Sequence, residues 1–132
     1  MIMKKVLLVD DEPHVVHVLK LFLKKNGFEV ITANNGEQGL KMVLSDKPDV
    51  VITDIQMPKM SGQDLCDRLL KESPDIDRRL IVMTSRTDSE LRDWAKSFDQ
   101  LDFLEKPLSP RRLVALLRSY FPINAEATGI SA

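Results

Sequence analysis

The chain holds a single cysteine, Cys66, so no disulfide can close within it, and this usage fits a reducing compartment. No apolar stretch is long enough to span a bilayer. The opening residues, Met1-Ile2-Met3-Lys4-Lys5, carry a basic pair, but Asp10 and Asp11 cut the next apolar run too early for a signal peptide. Neither charge dominates: 19 basic and 20 acidic side chains leave a net −1, with no general pull toward nucleic acid or an anionic membrane. No loop of Ser, Thr and Gly follows the first apolar run, which removes the phosphate cradle of a flavin site. These absences predict a cytoplasmic protein that binds neither membrane nor nucleic acid directly. The length, 132 residues, is that of one domain with a real core, and 43% hydrophobic with 30% charged residues reads as globular.

Four short apolar runs carry the positive information. Val6-Leu7-Leu8-Val9 ends in Asp10 and Asp11, and Val50-Val51-Ile52-Thr53 ends in Asp54. Leu80-Ile81-Val82-Met83 ends in Thr84, and Phe103-Leu104 leads into Lys106-Pro107. Each run is about strand length and too short for a buried helix. Laid parallel in one sheet, their C-terminal ends share an edge that gathers three carboxylates, a hydroxyl and an ammonium. Such a cluster suits a divalent cation and a phosphoryl group.

Helical signals separate the runs. Pro13 suits a first turn, and Val15, Val18, Leu19, Phe22 and Leu23 recur at helical spacing until Asn26-Gly27, with Gly27 as the left-handed cap. A more polar strand, Glu29–Thr32, reads as an edge strand. A turn at Asn34-Asn35-Gly36 precedes a second helix marked by Leu40, Val43 and Leu44 and closed before Pro48. The third helix carries Leu65, Leu69 and Leu70. The fourth, capped by Thr87 or Asp88, places Leu91, Trp94, Ala95 and Phe98 on one face. Ser109-Pro110 opens the last helix, with Leu113, Leu116, Leu117 and Tyr120, and Pro122 ends it. Residues 123–132 read as a flexible tail or the start of a linker, leaving one domain over residues 1–122. Strict alternation of strand and helix predicts an α/β fold, a mostly parallel sheet covered on both faces, with ligands outside the strand C-termini.

These residues carry a family resemblance. Val6-Leu7-Leu8-Val9-Asp10-Asp11-Glu12-Pro13 resembles the opening of a response regulator receiver domain. So do Asp54-Ile55-Gln56-Met57-Pro58 through Gly62, Thr84-Ser85, and Phe103-Leu104-Glu105-Lys106-Pro107. The match runs over residues 4–121, in order and at strand ends. It implies a flavodoxin-like, doubly wound sheet of five parallel strands in the order 2-1-3-4-5, with five helices.

The resemblance also assigns roles. Asp10, Asp11, Asp54 and the Gln56 backbone carbonyl would hold Mg²⁺, with Mn²⁺ as a substitute. Asp54 would accept phosphorus from a histidine kinase or phosphotransfer protein, forming an acyl phosphate. Lys106 and Thr84 would bond phosphoryl oxygens. Two like charges about 4 Å apart repel by roughly 4 kcal/mol at an effective dielectric near 20, so three carboxylates need cations beside them. Thr84 and Phe103 match the family's switch positions, which makes the fourth helix, fifth strand and fifth helix the surface read by an effector protein or domain. A phosphorylation-dependent homodimer is a further partner expectation. Gln56 and Arg86 match positions that tune hydrolysis. On this reading the domain is a signalling phospho-acceptor, limited to self-phosphorylation and slow self-dephosphorylation, and not a turnover enzyme.

Each piece also has an ordinary reading. Asp10-Asp11 suits a helix cap, Thr84 a loop hydroxyl and Lys106-Pro107 a turn. His14 and His17 read as exposed helix residues, Cys66 as a packing residue, and Trp94 as a core-facing or partner-facing aromatic. The same set admits a constitutive interaction module that keeps the fold without the phosphorylation. A haloacid dehalogenase-like phosphatase also uses Asp, Thr, Lys and Mg²⁺, but Asp10-Asp11-Glu12-Pro13 lacks its Asp-x-Asp order. One segment departs from the receiver pattern: Phe98-Asp99-Gln100-Leu101-Asp102 has no glycine before strand five, which predicts a reshaped fourth helix or exit.

Overall fold

A computed structural model describes residues 3–85 and 89–122. Ten elements alternate: β1 (Lys5–Val9), α1 (Pro13–Lys25), β2 (Glu29–Ala33), α2 (Gly36–Asp46), β3 (Val50–Asp54), α3 (Gly62–Glu72), β4 (Arg79–Thr84), α4 (Ser89–Ala95), β5 (Leu101–Glu105) and α5 (Pro110–Tyr120). The strands form one parallel sheet in the order β2-β1-β3-β4-β5. β2 lies at an edge, as its polarity predicts.

Period-two alternation divides each central strand between two cores. Val6, Leu8, Val50, Ile52, Ile81 and Met83 pack against Leu19 and Leu23 of α1 and Leu113, Val114 and Leu117 of α5. Leu7, Val9, Val51, Leu80 and Val82 pack against Leu40 and Val43 of α2, Leu65, Cys66 and Leu69 of α3, and Leu91 of α4. Because both faces are covered, the strands read as continuous apolar runs rather than alternating ones. Cys66 is a buried packing residue, and burial pushes its thiol well above the ordinary range.

Local sequence sets the helix ends. The Asn35 side chain accepts from Gln38 N–H at 2.9 Å, and the Ser61 hydroxyl accepts from Asp64 N–H at 3.1 Å, so each satisfies one orphan donor of its helix. Ser109 does the same for α5, ahead of Pro110. Gly27 has φ +91 after α1, the left-handed conformation that its missing Cβ permits. Gly36, read from sequence as part of a turn, is instead the first residue of α2; a Cβ there would stand 2.7 Å from the Met60 Cβ.

Three packing expectations are corrected. Val18 is 54% exposed, and Leu70 also faces outward, because the buried stripes of α1 and α3 are narrower than their apolar composition suggests. α4 ends at Ala95, short of Phe98; tight turns (Phe98 N–H to the Ala95 carbonyl, 3.0 Å) carry the chain onward, and Phe98 still reaches the core beside Trp94 at 5.0 Å between ring centroids. β5 begins at Leu101, so part of the glycine-free segment belongs to the sheet. The Thr87 and Asp88 cap, and residues 123–132, lie outside the described residues.

Candidate functional site

Strand order builds the site. β1 and β3 are neighbours, so their C-terminal ends bring Asp10 and Asp54 together; β4 adds Thr84 and the exit of β5 adds Lys106. The Lys106 N–H donates to the Thr84 carbonyl at 2.9 Å, continuing the β4–β5 pairing one residue past the strands. Asp11, Glu12, Asp54, Ile55, Gln56, Thr84, Ser85 and Lys106 surround a cleft of about 340 Å³ at this edge.

Asp54 closes β3 and is 5% exposed. Its Oδ2 accepts from Lys106 Nζ at 2.9 Å, a charge-assisted bond of ordinary length. Its Oδ1 accepts from Gln56 N–H at 3.4 Å, a weak contact. Thr84 is buried at the end of β4. Burial pulls the Lys106 ammonium down, but the hydrogen bond to Asp54 and the charges of Asp54, Asp10 and Glu12 outweigh it, so its pKa stands above the ordinary lysine value. Lys106 therefore keeps its charge across the physiological range.

Asp10 is 2% exposed, and its Oδ1 accepts from Glu12 N–H at 2.9 Å. Its Oδ2 is buried without a hydrogen-bond partner among the described residues. Burial first, then the charges of Asp54 and Glu12, raise the Asp10 carboxyl above its usual range, against the Glu12 N–H and Lys106, which lower it. A buried carboxylate oxygen with no donor is the arrangement that a cation completes.

A further carboxylate joins the expected ones at the cleft. Oxygens of Asp10, Glu12 and Asp54 lie within 4.8 Å of one another, whereas Asp11 is exposed at the rim of the cleft. In the sequence nothing marks Glu12 as a ligand. The cause is local: Glu12 is the extended residue before α1 (φ −98, ψ 104), and its side chain makes no cap bond. The carboxylate lines the cleft instead, with the exposed His14 Nε2 3.9 Å from its Oε2, and neither Asp10 nor Asp11 serves as the α1 cap. Three hard oxygen donors with room for waters fit Mg²⁺ or Mn²⁺.

The backbone beneath Asp54 is tightly held. The Thr53 hydroxyl donates to the Asp54 carbonyl at 2.9 Å, and Gly62 N–H donates to the Ile55 carbonyl at 2.9 Å. A Cβ on Gly62 would overlap the Asp54 carbonyl oxygen and stand 3.0 Å from the Ile55 Cα. Only glycine allows α3 to start this close to the acceptor strand.

The remaining assigned residues lie elsewhere. Phe103 is half-buried on β5, opposite Val82, and packs on the core shared with α3 and α4. Trp94 reaches from α4 to α3, donating Nε1–H to Asp67 Oδ1 at 2.8 Å. His14 and His17 are exposed on α1. The Lys106-Pro107 bond is cis. Arg86 lies outside the described residues.

Comparison with known proteins agrees with this geometry. A family model described as the response regulator receiver domain matches residues 6–118. Among curated proteins, the alkaline phosphatase synthesis transcriptional regulatory protein PhoP of Bacillus subtilis is 31% identical over 116 residues, covering 88% of this chain and 48% of that protein. Protein PilH of Pseudomonas aeruginosa is 31% identical over 117 residues, covering 89% of this chain and 97% of that protein. The chain thus spans about half of PhoP and nearly all of PilH. Among solved structures, the chemotaxis protein CheY4 of Vibrio cholerae superposes with a TM-score of 0.83 at 28% identity, covering 90% of this chain and 99% of that one.

Proposed function

The chain belongs to the response regulator receiver domain family of two-component signalling, and from that premise we propose that Asp54 is its phospho-acceptor, working with Mg²⁺. The observation that carries this reading is the pairing of a nearly buried Asp54 with Lys106 at 2.9 Å, beside a buried Asp10 oxygen that has no donor among the described residues. A structural ion pair needs neither the cleft above it nor the second and third carboxylates. A phosphoryl acceptor needs all of them, because phosphoryl transfer depends on positioning and on neutralised charge.

Asp10, Asp11 and Asp54 would hold the cation, with the Gln56 carbonyl as a further ligand and the Glu12 carboxylate adding negative charge beside them. Bound there, Mg²⁺ supplies neutralising charge for the phosphoryl oxygens. The Asp54 Oδ1 is the less engaged oxygen. It forms the new bond to phosphorus as the phosphorus–nitrogen bond of a phosphohistidine donor breaks, and the departing imidazole nitrogen keeps the electron pair. Lys106 moves its hydrogen bond from Oδ2 to a phosphoryl oxygen, and the Thr84 hydroxyl bonds another. Water later attacks the same phosphorus, releasing phosphate and restoring Asp54. Arg86 and Gln56 would set the pace of that step.

A histidine kinase or phosphotransfer protein would be the donor in the cell, and the cytoplasm the compartment in which it operates. Among the described residues no helix is long and apolar enough to cross a membrane. Residues 1–122 would act as the unit of signalling, and 123–132 as a tail or linker. The output surface is α4, β5 and α5, reached through Thr84 and Phe103. Phosphorylation-dependent pairing of two copies through that surface remains part of the proposal.

Incubation with a small phosphoramidate donor tests the assignment. An alkali-labile, acid-stable phosphoryl adduct should form with Mg²⁺ and disappear with chelator; an adduct of equal yield without divalent cation contradicts the role of the acidic cluster. For the switch, Phe103→Ala should leave the yield of adduct intact while weakening phosphorylation-dependent effector binding about tenfold, since it removes a core-packed aromatic rather than a site group. Loss of the adduct itself would contradict that division of labour.

A further inference from the structure

Thr53 sits between two valines in the sheet. The same level of the sheet reads Val9, Thr53, Val82 across β1, β3 and β4, and all three side chains are fully buried on the α2–α3 face. A hydroxyl in that row loses its hydration and keeps its place only through a bond. That bond goes from Oγ1 to the carbonyl oxygen of Asp54 at 2.9 Å. The sulfur of Met57, on the loop that follows the acceptor, stands 4.0 Å from the Thr53 Oγ1.

The Asp54 carbonyl is thus gripped from two directions, by the Thr53 hydroxyl and by the close backbone of Gly62. It belongs to the peptide joining Asp54 to Ile55. That peptide's N–H donates to the Met83 carbonyl at 3.2 Å, tying it to β4 one residue before Thr84. Rotation of this plane would swing the Asp54 carboxylate relative to Lys106 and would re-aim the next residue, Gln56. Nothing else in the buried row has a polar group, so packing alone does not account for the hydroxyl.

We propose that Thr53 is a positioning residue for phosphoryl acceptance: its hydroxyl fixes the Asp54–Ile55 peptide and through it the aim of the acceptor carboxylate and the Gln56 carbonyl. It touches neither donor nor cation. The inference rests on the assignment of Asp54 as acceptor.

The test compares wild type with Thr53→Val and Thr53→Ser, measuring adduct formation from a small phosphoramidate donor against Mg²⁺ concentration, together with thermal unfolding. Thr53→Val keeps the branched shape and loses the bond. It should unfold only a few degrees lower, since the Asp54 carbonyl loses a buried donor, react about tenfold more slowly at saturating donor, and need more Mg²⁺ for half-maximal rate. Thr53→Ser keeps the hydroxyl and should restore both the rate and the Mg²⁺ requirement, despite lower stability from the lost methyl. Equal rates for wild type and Thr53→Val overturn the role of Thr53, as does a slow Thr53→Ser, which would assign the effect to packing. A wild type that forms no adduct overturns the acceptor assignment itself, and so separates the two failures.

Discussion

Alanine at Gly62 is expected to destabilise the domain by about 3 kcal/mol and to lower its unfolding temperature by roughly 10 °C, the upper range for overpacking a single site. The added Cβ meets backbone, the Asp54 carbonyl and the Ile55 Cα, and not the flexible end of a side chain. Backbone on both sides leaves no rotamer to change. The start of α3 must move away from β3, which also breaks the 2.9 Å bond from Gly62 N–H to the Ile55 carbonyl. Phosphoryl acceptance should fall with stability, because the displaced strand end carries Asp54. Gly27 provides the contrast: a Cβ there meets nothing within 4 Å, so Gly27→Ala bears only the strain of φ +91, about 1 kcal/mol. Thermal unfolding of both variants checks the prediction. Equal losses would show that the close approach at Gly62 is not what holds the loop.

Lys106→Met separates two roles of positive charge in the cleft. The variant should accept phosphorus roughly 100-fold more slowly, the scale of deleting one oxyanion donor in a preorganised site. It should nevertheless bind Mg²⁺ at least as tightly as the wild type. Lys106 lies 2.9 Å from Asp54, and its charge opposes a second cation among the same carboxylates. Removing it leaves Asp10, Glu12 and Asp54 with only the metal to offset their repulsion. Calorimetric Mg²⁺ titration beside adduct kinetics distinguishes the cases. Parallel loss of metal affinity and rate would mean that Lys106 supports the shape of the cleft rather than the charge of the transition state.

Much of the fold was legible because burial on both faces writes apolar runs into parallel strands, and because each run stops at a chemically distinctive residue. Asp10, Asp54, Thr84 and Lys106 therefore announced one edge before any coordinates. Glu12 did not. Its place beside Asp10 and Asp54 depends on the extended backbone preceding α1, whereas sequence adjacency favours the Asp10-Asp11 pair. The start of β5 was hidden for a related reason. Asp102 looks like a loop residue, yet within the strand it is satisfied from across the chain by Tyr120 of α5, with Arg79 of β4 nearby. Burial, and then this hydrogen bond, push the Tyr120 hydroxyl up, so it remains a donor throughout the physiological range. Exposed Val18 on α1 widened the apparent buried stripe, since helical spacing alone does not say which turn meets the sheet. Thr53 escaped notice because a single hydroxyl in an apolar strand is also what ordinary β propensity allows.

The central claim is that neighbouring charge makes the Asp54 carboxylate, among all the acidic side chains of the chain, the one that takes up phosphorus. Mass spectrometry tests it directly: incubation with a phosphoramidate donor and Mg²⁺, then borohydride reduction of the acyl phosphate and peptide mapping, for wild type and Asp54→Asn. The account predicts one phosphoryl group per wild-type molecule, a reduced residue at position 54, and an unmodified Asp54→Asn chain. A wild type that stays unmodified at saturating donor, or a reduced residue mapped to Asp10, Asp11 or Glu12, would contradict it.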